Sequence, residues 1–196
     1  MKLTAAAIAA TALILSVAAH ASPITLEFTG TGADLTLGSA VYNDVNFSVE
    51  MVADTSAIDT TTPGIPTYDS LTATMTISGG PTVTIPVYVF NNQDTQAVGF
   101  GTLVNYDLFD LADQGVGLNT YGLTTAFGPI STSNIEALDQ WTNVSTSGGN
   151  MSVSSVALGT FQAVTSSSVP EPGTLGLLGL GLAALVLASR KRPACA

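Results

Sequence analysis

Residues 71–90 read LTATMTISGGPTVTIPVYVF, and their alternating pattern predicts two strands. Apolar side chains alternate with Thr and Ser before the central Gly-Gly-Pro, and they occupy every second position again from Val83 to Val89. A period of two is typical of a strand with one buried face. Two such runs joined by Gly-Gly-Pro predict a β-hairpin. Because Pro86 lacks an amide donor, we expect its strand to lie at a sheet edge or to contain a bulge.

The same alternation continues outside the hairpin. It runs from Val45 to Met51, and further strand candidates lie at 24–29, 97–104, 151–158 and 161–165. Evenly spaced short strands predict an all-β fold, here an antiparallel β-sandwich of the jelly-roll or immunoglobulin-like type. We expect this domain to span residues 22–165, flanked by an N-terminal signal helix and a C-terminal transmembrane helix.

Two connecting segments have a predicted local structure. Residues 54–67 contain Pro and Gly and are predicted to be a loop, in which the Asp54 side chain accepts hydrogen bonds from nearby amides in a turn. Residues 135–141 are predicted to form a short helix with Ser133 or Asn134 as its N-cap.

The distribution of charge restricts the chemistry that the domain can perform. The chain has 196 residues, 14 Asp and Glu, 4 Lys and Arg and a net charge of −10. Every basic residue, the one His and the one Cys lie near the two ends: Lys2, His20, Arg190, Lys191, Arg192 and Cys195. Residues 22–168 therefore cannot build a His-based triad, a Cys nucleophile, a Lys Schiff base or a zinc site of Cys and His. The acidic balance also argues against nucleic acid as a partner. We predict no catalytic residue and no cofactor beyond Ca²⁺.

The N-terminus has the layout of a secretory signal peptide, which we place at residues 1–21. Met1-Lys2 is followed by an apolar run and then by Ala19-His20-Ala21, which fits the small-x-small cleavage pattern. We expect signal peptidase to cut between Ala21 and Ser22, which makes this an exported protein.

The C-terminus has the layout of a second sorting signal. A linker at 166–172 contains Val169-Pro170-Glu171-Pro172, a transmembrane helix is predicted at 173–189, and a basic cytoplasmic tail follows at 190–196. The uncharged run from 174 to 188 would span roughly 22 Å as a helix, short of the ~30 Å hydrocarbon core. Arg190, Lys191 and Arg192 should act as a membrane stop signal, which leaves the domain on the far side of the inner membrane.

This combination of Pro-Glu-Pro, a short Gly- and Leu-rich apolar segment and a terminal basic cluster resembles the PEP-CTERM protein-sorting tail. The resemblance covers residues 169–192 only. It implies a Gram-negative bacterium and recognition by exosortase, a membrane-embedded transpeptidase-like enzyme. It also implies transient anchoring in the inner membrane, removal of the tail near Pro170-Glu171-Pro172, and release or attachment at the cell surface. Such proteins are associated with extracellular polysaccharide and biofilm.

Three carboxylates suggest a metal site within the domain. Asp107, Asp110 and Asp113 recur at every third position, and carboxylate oxygens are ligands that suit Ca²⁺. The spacing does not match an EF-hand loop. If residues 106–112 form a strand or a helical turn instead, the three side chains diverge and belong to a solvated face.

Three functions of different classes remain open for the exported domain. The first is a non-enzymatic protein of the cell surface or extracellular matrix. The second is a carbohydrate- or Ca²⁺-binding module of the same matrix, with sugars stacked on aromatic side chains that could instead belong to the core: Tyr42, Tyr68, Tyr88, Tyr106, Tyr121 and Trp141. The third is a glycoside hydrolase that uses two carboxylates.

Overall fold

The computed structural model describes residues 22–102, 106–113 and 115–166, together with Gly181. The chain divides into two compact units after Ser166, and all the described strands belong to the first unit. These strands are β1 (Pro23–Leu37), β2 (Ala40–Asp54), β3 (Thr67–Ile77), β4 (Thr82–Asn92), β5 (Ala97–Thr102), β6 (Tyr106–Ala112), β7 (Phe127–Thr132), β8 (Ile135–Glu136), β9 (Val144–Thr146), β10 (Gly149–Ser155) and β11 (Leu158–Thr165).

The strands form one antiparallel sheet in the order β7-β11-β1-β2-β3-β4-β5-β6-β8. Strands β1 to β6 follow one another as a meander, and β11 returns to the free side of β1. The long β1 also pairs with β10 beyond the end of β11, and β10 pairs with β9. Sequential hairpins therefore account for most of the sheet.

The two faces of the sheet differ in chemistry because successive side chains point to opposite faces. One row of mutually paired, buried apolar residues crosses six strands: Ile130, Phe161, Phe28, Val49, Met75 and Val83. The sheet curls over this inner face, since the Phe28 ring of β1 lies 5.1 Å from the Phe100 ring of β5. The fold is thus all-β, antiparallel, sandwich-like and nearly closed, which confirms the predicted fold class.

The β-hairpin predicted within residues 71–90 is present. Strands β3 and β4 pair in register from Thr76 and Thr82 outward. Pro86 lies on an interior strand, but at a local gap on the β5 side. There β4 pairs with β5 only from Val87 onward, and Ser147 bonds to Thr84 on the other side of the gap. The proline therefore occupies a position where its missing amide leaves no ladder bond broken.

The prediction of a helix at residues 135–141 is wrong. Ile135 and Glu136 form β8, which pairs with Leu111 and Asp110, and only a 3₁₀ turn follows at Leu138–Gln140. Ala137 between them has a φ of 65°, outside the right-handed helical region, so no continuous helix can pass through it.

The predicted turn after β2 is confirmed. The backbone N–H of Ser56 donates to Asp54 Oδ1 at 2.8 Å, and a 3₁₀ turn follows at Thr55–Ala57. At the other end of the unit, the Ser166 N–H donates to the Pro23 carbonyl at 3.1 Å. The two ends of the folded unit therefore meet beside β1.

The predicted signal helix, transmembrane helix and basic tail lie outside the described residues, apart from Gly181. Within the described part of the chain, no helix is both long enough and apolar enough to cross a membrane.

Candidate functional site

A bulge in β6 places two carboxylates on one face of the sheet. In the β5–β6 ladder Asp107 pairs with Gly101 and Asp110 pairs with Gly99, and the register shifts between these pairs. Because β6 contains one extra residue, Asp107 and Asp110 are three positions apart but pair with Gly101 and Gly99, which are two positions apart. Asp107 and Asp110 therefore share the outer face, which a regular strand would not allow.

The two glycines form the floor between these carboxylates and β4. A Cβ added to Gly99 would collide with Asp110 Oδ1 and with the Phe109 carbonyl oxygen, which lies 2.8 Å away. A Cβ added to Gly101 would collide with the Tyr88 ring and with the Tyr106 carbonyl oxygen. Side chains from both neighbouring strands therefore lean over β5 into space that glycine leaves open.

Tyr88 holds Asp107 in this position. Tyr88 pairs with Gly101 on β4, and its hydroxyl donates a hydrogen bond across that glycine to Asp107 Oδ1. Burial, then this bond and the nearby negative charges raise the pKa of the Tyr88 phenol well above its usual range. The phenol therefore stays protonated and remains a donor at ordinary pH.

Asp110 has a buried carboxyl group. Its side chain is only 8% exposed, and Oδ1 is buried without a hydrogen-bond partner. Burial, followed by the charges of Asp107 and of Glu136, raises the pKa of Asp110 from 3.8 to about 8. Glu136 stands directly opposite Asp110 on β8. We call Tyr88, Asp107, Asp110 and Glu136 the acidic cluster.

The predicted trio of Asp107, Asp110 and Asp113 is not assembled. Asp113 lies beyond the end of β6, where its backbone N–H donates to the Gln96 carbonyl at 3.2 Å. Within the described ranges, no three His, Cys, Asp or Glu side chains are grouped closely enough to hold a metal ion. The structure instead brings Glu136 to the pair, a residue that the sequence analysis did not select. The signal that could have found this site is Gly99-Phe100-Gly101, because two glycines on one face of a strand indicate a close approach from its neighbours.

Hydroxyl groups line another part of the outer face, on strands β7, β11, β1, β2, β3 and β4. One row of mutually paired residues crosses six strands and is called the hydroxyl row: Ser131, Thr160, Thr29, Ser48, Thr76 and Thr82. At its two ends the hydroxyl oxygens are hydrogen-bonded, 2.8 Å apart between Ser131 and Thr160 and 3.2 Å apart between Thr76 and Thr82. A parallel row two positions along contains Gln162, Glu27, Glu50, Thr74 and Thr84.

Three of the six aromatic side chains proposed for sugar stacking belong to the core. Trp141, Tyr68 and Tyr121 are 0%, 1% and 4% exposed. The Tyr68 hydroxyl donates to the Leu123 carbonyl at 3.1 Å, and the Tyr121 hydroxyl donates to the Thr125 carbonyl at 3.0 Å. These three residues stabilise the domain and cannot present their ring faces to a sugar.

An open depression of about 600 Å³ lies beside β7 and β11, lined by residues 126–129 and 162–164. None of these lining residues carries a carboxylate. It therefore does not present the pair of facing carboxylates that glycoside hydrolysis requires.

The residues predicted to direct sorting are outside the described part of the chain. They are Ala19 and Ala21 before the predicted signal-peptidase site, Val169, Pro170, Glu171 and Pro172 of the linker, and Arg190, Lys191 and Arg192 of the tail. Ser22, on the other side of the predicted cut, is described, and β1 begins at the next residue.

Comparison with known proteins assigns the end of the chain. The family model for the PEP-CTERM protein-sorting motif matches residues 168–192. No curated protein and no solved structure matches the chain. The chain therefore carries a PEP-CTERM sorting motif, which indicates an exported surface protein that exosortase processes.

Proposed function

We propose that this chain, which carries a PEP-CTERM sorting motif, is a non-enzymatic protein of the cell surface or extracellular matrix, associated with extracellular polysaccharide and biofilm. The motif match at residues 168–192 is the observation that carries the proposal. In this proposal, signal peptidase cuts after Ala21 and the tail anchors the chain transiently in the inner membrane. Exosortase then removes the tail near Pro170-Glu171-Pro172, and the folded unit is released or attached outside.

The composition of the exported unit supports a non-enzymatic role. Residues 22–168 contain no Lys, Arg, His or Cys, so the usual nucleophile–base pairs cannot be assembled from them. Asp107 and Asp110 lie on one sheet face and do not line the depression beside β7. This arrangement favours a non-enzymatic role, in which the domain contacts and packs against other molecules, over hydrolysis.

The hydroxyl row favours carbohydrate binding as a second candidate function. Neighbouring strands place its hydroxyl groups at intervals of roughly 4.8 Å, and each is able to donate and to accept a hydrogen bond. A neutral polysaccharide laid across the strands offers the same kind of group. Since residues 22–168 carry no positive charge, an anionic polymer would need a bridging cation.

A fractionation experiment tests the main proposal. The full chain is expressed in the same host with and without its exosortase gene, and membrane, surface and extracellular fractions are compared by mass. With exosortase, we expect a chain that has lost its C-terminal segment and left the membrane. If the same uncut chain leaves the membrane in both hosts, the proposal is wrong.

A glycan array with the processed protein tests the second candidate. Thr76→Val and Thr82→Val together replace two hydroxyls by methyl groups and keep the β-branched shape that suits a strand. We expect this variant to lose neutral-glycan binding, while Thr36→Val, an exposed Thr of β1 outside the row, retains it. Equal binding by both variants would contradict the role of the hydroxyl row.

A further inference from the structure

We propose that the acidic cluster binds one divalent hard cation, Ca²⁺, with Asp107 and Asp110 as the carboxylate ligands above Gly99 and Gly101. This site has two carboxylate ligands and excludes Asp113; Glu136 on β8 pairs with Asp110 and adds negative charge nearby without acting as a third ligand. The proposal is also independent of the sorting motif, since it concerns the folded unit alone.

The arrangement of the side chains on β6 is the first observation that supports this cation site. The bulge in β6 brings Asp107 and Asp110 to one face, opposite two glycines whose missing side chains make room for Asp110 Oδ1 and for the Tyr88 ring. Tyr88 occupies one oxygen of Asp107 with its hydroxyl, which fixes the orientation of the carboxylate and leaves Oδ2 available. Tyr88 is thus a positioning residue for this site.

The second observation that supports this site is that one oxygen of Asp110 has no hydrogen-bond partner. A buried polar atom without a hydrogen bond destabilises the folded state, and a charged one does so more than a neutral one. Asp110 Oδ1 is such an atom, and it lies above Gly99 in the space where a Cβ would stand. A bound cation would supply its missing partner.

The charge of the surroundings carries the third step. Asp107 and Glu136 flank Asp110, and residues 22–168 contain no Lys, Arg or His that could neutralise the group. Buried carboxylates that lack a basic partner are compensated by a proton or by a metal ion. Since residues 22–168 supply no cationic side chain, a bound ion would provide the positive charge that this part of the chain lacks.

The ligand set predicts a weak extracellular site. Ca²⁺ takes six to eight oxygen ligands, and two carboxylates provide only part of that number. The carbonyl oxygens of Tyr106 and Phe109 border the same two glycines, and water would complete the shell. Sites with few carboxylates in extracellular modules have dissociation constants of about 10⁻⁴–10⁻³ M, so we expect millimolar Ca²⁺ to be required.

The experiment is a thermal unfolding series on the full chain in mild detergent, with EDTA and with increasing Ca²⁺, beside direct titration calorimetry. We expect the Tm to rise with Ca²⁺ and the calorimetry to give one ion per chain. A hundredfold excess over Kd stabilises a folded state by about 2.7 kcal/mol. Mg²⁺ should act more weakly, since it demands near-ideal octahedral geometry.

Two variants decide whether the effect belongs to this site. Asp110→Asn keeps the shape of the neutral side chain and should abolish both the Tm shift and the calorimetric signal. Asp139→Asn removes an exposed carboxylate elsewhere and should leave both unchanged. Coincident melting curves with EDTA and with millimolar Ca²⁺, or a shift that survives in Asp110→Asn, would overturn the proposal.

Discussion

Asp110 of β6 stands opposite Gly99 of β5, and its unpaired Oδ1 fills the position that a side chain on Gly99 would need. The glycine is therefore part of the environment of the carboxyl group. It allows Asp110 to lie flat over the sheet, where only 8% of the residue is exposed. Because burial raises the pKa of Asp110, we expect the stability of the domain to depend on the protonation of this side chain.

Stability should fall as the pH rises from about 5 to about 8, measured in EDTA. The folded pKa of Asp110 is raised to about 8 from 3.8, so the folded state binds more protons than the unfolded state between these values. The free energy of unfolding then decreases with pH, by up to about 1.4 kcal/mol per pH unit for one group, and levels off above the folded pKa. Chemical unfolding at several pH values measures this slope.

The matched variants for this slope are Asp110→Asn and Asp139→Asn. The first should flatten the pH dependence, because an amide cannot lose the proton, and the second should leave it unchanged. A slope that persists in Asp110→Asn would assign the effect to other groups.

Gly99→Ala should destabilise the domain by about 1–3 kcal/mol, since overpacking forces neighbouring atoms to move. The new methyl group meets Asp110 Oδ1 and the Phe109 carbonyl oxygen. Gly122→Ala is the control, because the nearest atom to its Cβ, Thr124 Oγ1, is 3.8 Å away. Urea unfolding compares the two, and equal stabilities would show that β5 and β6 can separate without loss.

The sequence patterns predicted those strands whose two faces differ most. Strands β2, β3 and β4 alternate because one face packs on the core and the other carries Thr and Ser. Strand β7 escaped prediction because Gly128 and Pro129 interrupt Phe127–Thr132, and only its pairing with β11 makes it a strand. A local sequence pattern cannot predict a strand that forms only because it pairs with a neighbouring strand.

The acidic cluster could not be derived in full from the sequence for a related reason. A regular β6 would place Asp107 and Asp110 on opposite faces, and the bulge that unites them is defined by the register with β5. Glu136 joins the cluster through a two-residue strand next to Ala137, whose positive φ no sequence pattern indicated. Register depends on how the strands pair in the folded domain. The sequence therefore shows the acidic residues but does not show that they come together.

Asn91→Ala should cost about 2–4 kcal/mol, because it removes two buried hydrogen bonds together with the volume of the buried side chain. The Asn91 amide is fully buried and donates to the carbonyl oxygens of Leu118 and Tyr121, each at 2.8 Å. It thereby ties the 3₁₀ turn at Leu118–Thr120 to β4. Thermal unfolding measures the effect, and the exposed Asn119→Ala should be close to neutral; similar losses in both would contradict this role.

The exported protein should begin at Ser22. The predicted cut follows Ala19-His20-Ala21, and β1 starts at Pro23, directly after the cut. N-terminal sequencing of protein from the surface fraction checks this. Exported protein that still begins at Met1 would contradict it, and Ala21→Leu, which removes the small residue before the cut, should block processing.

Replacing Pro170, Glu171 and Pro172 with Ala should hold the full-length chain in the inner membrane without changing the fold. The folded unit closes before the motif, because Ser166 donates to the Pro23 carbonyl and the second unit begins after it. The two prolines predict an extended backbone at residues 170–172, and we expect such a segment to be accessible to a membrane-embedded protease. Alanines would favour helix at that position, and a helical backbone would have to open first.

Trypsin provides the readout for this variant, because residues 22–168 contain no Lys or Arg and cannot be cut by it. In inverted vesicles trypsin should cut the retained variant after Arg190 or Lys191 and remove only the residues that follow, and in spheroplasts it should remove nothing. Unmutated protein in an exosortase-carrying host should have lost this end already. If both proteins remain in the membrane at the same mass, the C-terminal segment is a plain anchor and Pro170-Glu171-Pro172 is not a processing signal.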